Sequence, residues 1–427
     1  MKLTIHRGAK EIGGTCIELQ STSSRILIDF GLPLIDANGE SFPRQRTRNL
    51  TVGDPAHQGI LPSIDGLYDN QNPLFDGILV SHPHPDHYGL LGHVNPSIPV
   101  YMSDGCKRLI GISGFFSQTQ CDLKNVVTIK PWQPFKIGDF GITPYLVDHS
   151  GFDALAFLIE GEGKRIFYSG DFRGHGRKKV LFDHMTEKPL PNIDYLILEG
   201  TTIGRDPVEH RTELDVENEL LELFRKPATQ FFIACSSQNI DRIVSIYRAC
   251  VRSNRIFVMD PYTAFVLHEL RSISRNIPQF DWEKNIQVFF IPNGYTKRLA
   301  ADKSLFTFRS AKISYAEMQR MRTNLVIKDS FAMREYFARK NGLVDTTLIY
   351  SLWEGYLPED EDFWTKNKVP ITKVHVSGHA YVEDLKKLAA AMKPQYIIPN
   401  HTLYPDQFAR YFGTNVRLIK DGEPIKL

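Results

Sequence analysis

Apolar and polar residues alternate, or apolar ones run in short blocks, through three early segments: KLTIHRG (2–8), TCIELQS (15–21) and RILIDFG (25–31). A period of two, bounded by Gly and Ser, predicts short strands in an antiparallel start. From residue 76 onward apolar blocks repeatedly end at a polar residue, as in DGILVSH, RIFYSGD, DYLILEG, QFFIACS, RIFVMD, TTLIYS and KVHVSGH. Several lead into helically spaced segments, such as NIDRIVSIYRACV (239–251) and VEDLKKLAAAM (382–392). The expected class is therefore α/β, with polar side chains presented at strand ends. Between them, Glu40 to Asn72 is rich in Pro, Gly, Asp and Asn and reads as a long surface loop.

Composition narrows the setting. A chain of 427 residues, 42% hydrophobic and 23% charged, has the make-up of a globular protein with room for two or three domains. No run of eighteen apolar residues occurs, and the start MKLTIHRGAKEIGG lacks the apolar core of a secretory signal, so the expectation is a cytoplasmic protein with no membrane partner. Cys16, Cys106, Cys121, Cys235 and Cys250 are odd in number and form no C-x-x-C pair, which argues against a disulfide framework and a thiolate metal site. They read as small buried hydrophobes. A formal charge of +2 is no strong nucleic-acid footprint. The local basic clusters, Arg44, Arg46 and Arg48, then Arg173, Arg177, Lys178 and Lys179, read as solvated faces.

One segment stands apart. LVSHPHPDHYGLLGHV (79–94) is a buried strand ending at Ser81, a loop stiffened by Pro83 and Pro85, and a helix start near Asp86. Within six residues it offers His82, His84, Asp86 and His87. Imidazoles and a carboxylate crowded at a strand end are costly to bury unless a cation satisfies them, and neutral imidazole with carboxylate suits zinc. Side chains alternate along an extended loop, so His82 and His84 point one way and Asp86 and His87 lie across the turn, which accommodates two adjacent metal positions. A polar loop with locally bonded histidines is the alternative, disfavoured by the coincidence of spacing and strand context. His93, a turn later, is assigned no part.

The H-x-H-x-D-H string resembles the signature of the metallo-β-lactamase superfamily. The resemblance implies that His149 in LVDHS, Asp171 in YSGDFR and His401 in YIIPNH join the cluster, while Asp29 in RILIDFG orients the ligand loop by hydrogen bonds. His82, His84 and His149 would then hold one Zn²⁺, Asp86, His87 and His401 a second, with Asp171 bridging; Mn²⁺ is the alternative metal. The implied architecture is the αββα sandwich of that superfamily.

Between Asp171 and His401 lie 401 − 171 = 230 positions, enough for a whole domain of strand-then-helix units, and this arrangement is similar to the β-CASP insertion. The expected division is 1–204 and 369–427 for the metallo-β-lactamase domain and 205–368 for the inserted cap. Glu199 in LILEG and His379 in HVSGHA match the acidic residue and later histidine of β-CASP nucleases, and the run to KPQYIIPNH resembles ribonuclease J. By that resemblance the chain is a zinc-dependent ribonuclease cleaving single-stranded RNA by metal-activated hydroxide. Asp86, Glu199 and His379 would be catalytic, with His379 serving the leaving oxygen. Tyr262, Phe265, Trp353 and Tyr356 are candidates for stacking on bases, whereas His375 is assigned to packing and Arg242 to solvent. Bulky Trp353 and Tyr356 depart from the glycine-rich strand end of ribonuclease J, and the 427 − 401 = 26 residues after the last ligand depart from its further C-terminal domain, which puts 5′-end recognition and contacts of a homo-oligomer in doubt. DNA as substrate, a thioester or lactone hydrolase of the same superfamily, and a non-catalytic RNA-binding subunit are the competing functions.

Overall fold

The computed structural model describes residues 1–34, 60–116, 123–205, 210–227, 229–281, 285–292, 294–301 and 303–427. Within Arg25–Ile28, Ile26 and Ile28 pack on one side of the sheet and Leu27 on the other. In Leu155–Gly161, Leu155, Phe157 and Ile159 face the same core as Ile26, while Ala156 and Leu158 face outward to another. This period of two is what lets a strand serve two apolar layers at once.

The chain divides into two units, one of Met1–His210 with Gly378–Leu427 and one of Arg211–Ser377. The described residues of the first form two sheets. One runs in the order Ile425–Lys426, Lys2–Arg7, Cys16–Gln20, Arg25–Ile28, Gly77–Leu79, Val100–Met102, Val126–Thr128. The other runs Tyr396–Asn400, Tyr195–Glu199, Lys164–Tyr168, Leu155–Gly161, Phe140–Leu146, Phe135–Ile137. Their facing sides interlock through Leu3, Ile17 and Ile28 against Phe157, Ile166 and Ile197. Helix Asp104–Phe116 covers the outside of the first sheet through Cys106 and Ile110, and helices Lys179–Glu187 and Val382–Met392 cover the second through Phe182, Leu385 and Leu388. The result is an αββα sandwich. The first three strands are antiparallel, Lys2↔Gln20 and Ile17↔Ile28, whereas those ending near the H-x-H-x-D-H loop are parallel, Ile28↔Leu79 and Ile197↔Ile398.

The second unit is one sheet of seven parallel strands flanked by helices, with Phe232, Val258, Ile327 and Leu348 in a core shared with Trp364 and Phe337. Its bounds differ from the expected 205–368, because Ile371–Lys373 pairs with Thr346–Tyr350 as the edge strand of this sheet. In KVHVSGH the strand ends at Lys373, and Val374 to Gly378 is irregular.

Three other expectations change. The described part of the Glu40–Asn72 segment is no solvated loop, since Ile60, Ile64, Leu67 and Tyr68 are buried in the first unit's core; Arg44, Arg46, Arg48 and Cys121 lie outside the described residues. Arg173 is wholly buried and paired with Asp148, Nε to Oδ1 at 3.1 Å. Arg242, expected in solvent, is also wholly buried: its Nε donates to Glu213 Oε1 at 2.7 Å and its Nη1 to the Ser351 carbonyl at 3.0 Å. Cys16, Cys106, Cys235 and Cys250 are buried and, among the described residues, in no disulfide. Among the described residues no helix is long and apolar enough to cross a membrane.

Candidate metal centre

The site is assembled at strand ends of the first unit. Strand Gly77–Leu79 leads through Ser81 into His82 and His84, and Pro85 opens a one-turn helix, Pro85–Tyr88, that carries Asp86 and His87. Proline at the first helical position has a suitable φ and loses no needed N–H. Asp29 and His401 each follow a strand directly and sit in the left-handed region, φ 57° and 52°, which turns the chain sharply where the side chain must face the cluster.

Among the described residues four groups of ligand-type atoms form: His82, His84 and His149; His82, His87 and Asp171; Asp86, His87 and His401; and Asp171, His379 and His401. In the first, His82 Nε2 and His149 Nε2 lie 3.1 and 3.2 Å from the one nitrogen His84 Nδ1. Three ring nitrogens converging this closely cannot all be satisfied by protons they carry themselves, but one cation satisfies all three. In the third, Asp86 Oδ2 is 3.2 Å from His401 Nε2 and 3.9 Å from His87 Nε2. Asp171 stands between the groups, its Oδ2 3.1 Å from His87 Nε2, 3.7 Å from His82 Nε2 and 3.6 Å from His379 Nδ1.

Whether these residues suit a metal is tested by their unused valences. His87 Nε2 and Asp171 Oδ2 are buried and make no hydrogen bond, despite their approach to 3.1 Å. Buried polar atoms are nearly always paired, so a ring nitrogen and a carboxylate oxygen that face each other at 3.1 Å without a hydrogen bond fit a cation as their common partner.

Surrounding hydrogen bonds fix the rings. Asp29 Oδ2 accepts from Tyr168 OH at 2.7 Å and from Ser81 Oγ at 2.8 Å, and meets His87 Nδ1 at 2.8 Å; Asp29 Oδ1 accepts from Ser81 N at 2.7 Å. With Nδ1 so engaged, the His87 Nε2 lone pair is turned toward Asp171. Ser81 Oγ reaches His82 Nδ1 at 3.0 Å, and Thr201 Oγ1 reaches His401 Nδ1 at 2.8 Å, leaving Nε2 of each ring for the cluster. Sequence reading missed Ser81, Tyr168 and Thr201; each adjoins a motif, but a hydroxyl carries no metal-ligand signature.

Burial, reinforced by neighbouring imidazoles, depresses His82 and His149 well below the usual histidine range and brings His84 down to about 4. These rings are therefore neutral near pH 7, as ligation requires. Burial alone would also lower His87, but Asp171 and Asp29 outweigh it and raise the ring well above its ordinary value, so a proton and a metal compete for Nε2. Burial opposes the charge on Asp86 and Asp171 too; His401 and His87 overcome this and hold both carboxyls below the usual range.

Glu199 and His379 belong to the same cluster. Glu199 Oε1 accepts from Phe172 N at 2.9 Å, and its Oε2 is 3.2 Å from His379 Nδ1. Burial lowers the His379 ring, but Glu199 and Asp171 together raise it above the ordinary histidine value. His93 is half-buried in a 3₁₀ turn and His375 half-buried in the second unit, and neither is in a ligand group.

A two-sheet sandwich with a His/Asp cluster at its strand ends defines the metallo-hydrolase class. Residues 62–234 match the beta-lactamase superfamily domain, and residues 368–418 match the Zn-dependent metallo-hydrolase RNA specificity domain. Similar proteins include ribonuclease J of Helicobacter pylori strain B128, 22% identical over 469 residues that cover 100% of this chain and 60% of that protein. Ribonuclease J of Mycoplasma pneumoniae is 23% identical over 420 residues, covering 94% of this chain and 68% of that protein. A solved structure of a protein of unknown function from Enterococcus faecalis V583 superposes with a TM-score of 0.78 at 22% identity, covering 100% of this chain and 99% of the other, and shares the fold. Over residues 62–234 and 368–418 the chain is similar to the metallo-β-lactamase superfamily, and over 94% or more of its length to ribonuclease J proteins. It spans about three fifths of the Helicobacter pylori relatives it matches.

Proposed function

We propose that this chain is a zinc-dependent ribonuclease that cleaves phosphodiester bonds of single-stranded RNA. The carrying observation is the set of interlocked His/Asp groups whose buried Nε2 of His87 and Oδ2 of Asp171 have no hydrogen bond. The match of residues 368–418 to an RNA specificity domain and the similarity to ribonuclease J proteins support RNA as the substrate. The unit of Met1–His210 and Gly378–Leu427 is read as the metallo-β-lactamase domain and Arg211–Ser377 as the β-CASP domain.

In this reading His82, His84 and His149 hold one Zn²⁺, Asp86, His87 and His401 hold another, and Asp171 serves both. A zinc pair supplies Lewis-acid polarisation of a phosphoryl oxygen and makes water acidic enough to act near pH 7. The chain's own residues do the rest. Glu199 anchors His379 Nδ1 and favours the protonated ring, so Nε2 is the atom left to hand a proton to the leaving oxygen. Asp29, Ser81 and Thr201 keep the ligand rings from turning.

The test is cleavage of labelled single-stranded RNA by the zinc-loaded chain, beside DNA of the same sequence and a simple thioester. RNA is expected to be cut, and Asp86→Ala to lower the rate by about a thousandfold or more. Turnover of DNA or thioester alone, or full activity in Asp86→Ala, overturns the reading.

A further inference from the structure

The second unit's sheet is entirely parallel, and such sheets take ligands outside their carboxyl edge, where successive crossovers depart in opposite directions. Its order is Lys312–Ile313, Ile286–Phe289, Ile256–Met259, Leu325–Lys328, Gln230–Ala234, Thr346–Tyr350, Ile371–Lys373. From Ile256–Met259 the chain runs through helix Pro261–Leu270 to Ile286–Phe289 on one side. From Leu325–Lys328 it runs through helix Phe331–Arg339 to Thr346–Tyr350 on the other. The two strands are neighbours, Ile256↔Leu325 and Val258↔Ile327, so the reversal falls between them.

The residue closing the second of these strands is Lys328, 6% exposed. Its Nζ donates to the Asp329 carbonyl at 2.9 Å, and among the described residues it makes no other hydrogen bond and no ion pair. An ammonium has three N–H donors, so two are left over in a place where water is largely excluded. The neighbouring acids are engaged elsewhere: Asp329 Oδ1 accepts from Arg334 Nε at 3.1 Å and its Oδ2 also meets that guanidinium, while Asp260 Oδ1 accepts from Thr263 N at 2.7 Å. Its neighbouring carboxylate, Asp329, is thus shared with a guanidinium that forms the direct contacts, and a buried cation without an ion pair of its own is unfavourable for folding, which suits a group kept for a ligand.

The rest of the edge agrees in sign. Helices Ile240–Arg252, Pro261–Leu270 and Phe331–Arg339 all begin there, presenting the positive ends of their dipoles. Ser237 and Thr263, both buried, stand after two of its strands and share a hydroxyl hydrogen bond of 2.8 Å, so one hydroxyl proton can be redirected to an anion.

We infer that Lys328 Nζ is the anion-binding group of a subsite in the second unit that takes a phosphate group of a nucleotide strand. The choice of a nucleotide phosphate over another anion rests on the ribonuclease reading; the anion subsite itself rests on Lys328. Lysine serves here as a point charge for a phosphate oxygen, which needs no bidentate fork.

The experiment measures binding of the full chain, without added metal so that nothing is cleaved, to an oligouridylate with hydroxyl ends and, separately, to inorganic phosphate, for wild type and Lys328→Met. Lys328→Met is expected to weaken the oligonucleotide about ten- to a hundredfold and to reduce the slope of log K against log salt by roughly 0.7 to 1. Its Tm should equal or exceed that of wild type, since an uncompensated charge has gone. Unchanged affinity and slope in folded Lys328→Met overturn the inference. So does a sharp fall in Tm, which would make Lys328 an internal counter-charge, and so does a Lys328-dependent response to inorganic phosphate with none to the oligonucleotide. If Lys328-dependent binding is found in a chain that cleaves no RNA when zinc-loaded, the ribonuclease reading fails and the subsite stands; if the zinc-loaded chain cleaves RNA but Lys328→Met binds as wild type does, the subsite fails and the ribonuclease reading stands.

Discussion

Asp29 concentrates more of the site than any ligand does, because one carboxylate receives Ser81 N, Ser81 Oγ and Tyr168 OH and fixes His87 Nδ1. Replacing it with Asn keeps the shape but loses the charge and one acceptor. Asp29→Asn is therefore expected to weaken zinc binding about ten- to a hundredfold, read by competition with a chromogenic chelator; unaltered affinity would show that His87 needs no such anchor. Asp29 is legible in sequence as an acid at a strand end, but Tyr168 and Thr201 are not, because a hydroxyl acquires its role only from what lies across from it. Glu11 makes a different residue-scale prediction. Burial pushes its carboxyl up from 4.5 to about 7, against the pull of Arg7 at 3.1 Å. The folded chain thus binds this proton more tightly than the unfolded one, and the stabilisation is complete below 4.5 and lost as pH rises through about 7. Glu11→Gln should gain in Tm relative to wild type steadily across that window, and a difference flat with pH would refute the assignment.

At the scale of elements, the site depends on how closely two irregular segments approach. The turn after strand Arg25–Ile28 lies against helix Pro85–Tyr88, with Phe30 N donating to the His87 carbonyl at 2.8 Å, Leu32 N to the Pro85 carbonyl at 2.9 Å and Thr15 N to the Asp86 carbonyl at 3.1 Å. A Cβ on Gly31 would stand 1.6 Å from the Asp86 carbonyl oxygen. Gly31→Ala must push the helix away, at a cost of about 1–3 kcal/mol, and carry Asp86 and His87 out of the cluster. Calorimetry should show the lower Tm and metal analysis the lost zinc; a variant that keeps both would mean the helix moves without harm. The strands were readable from their period of two, and a helix start was expected near Asp86, whereas Pro85, read as part of a stiffened loop, is the first residue of that helix. The reason Gly31 is glycine was not readable, since it concerns backbone fifty-five residues further on, 86 − 31 = 55. Arg242 escaped for a related cause: its partner Glu213 is on another helix, and a charged residue on an apolar helix reads as solvated until that partner is seen.

For the whole molecule, the candidate ligands run from His82 to His401 with the entire second unit between them in sequence, so a bound metal would tie together segments remote in the chain. A cation that binds only the folded chain stabilises it by mass action, about 2.7 kcal/mol at a free concentration one hundred times Kd. Adding zinc to the metal-free chain should raise Tm, and chelation should reverse it; Asp86→Ala should lose most of the increment. Equal zinc-induced shifts in both proteins would mean the metal acts somewhere else. Local spacing by itself determined the α/β class, the presence of an insertion and the H-x-H-x-D-H donor set, because periodicity and donor type are written along the chain. Only the tertiary structure decided which lone pairs converge, which ring nitrogens are already committed, and that Arg173, Arg242 and Lys328 are buried cations, the first two paired with carboxylates and the third, among the described residues, bonded only to a carbonyl. Those are properties of distance and solvent exclusion, set when remote strand ends meet, and no stretch of sequence contains both partners of such a meeting.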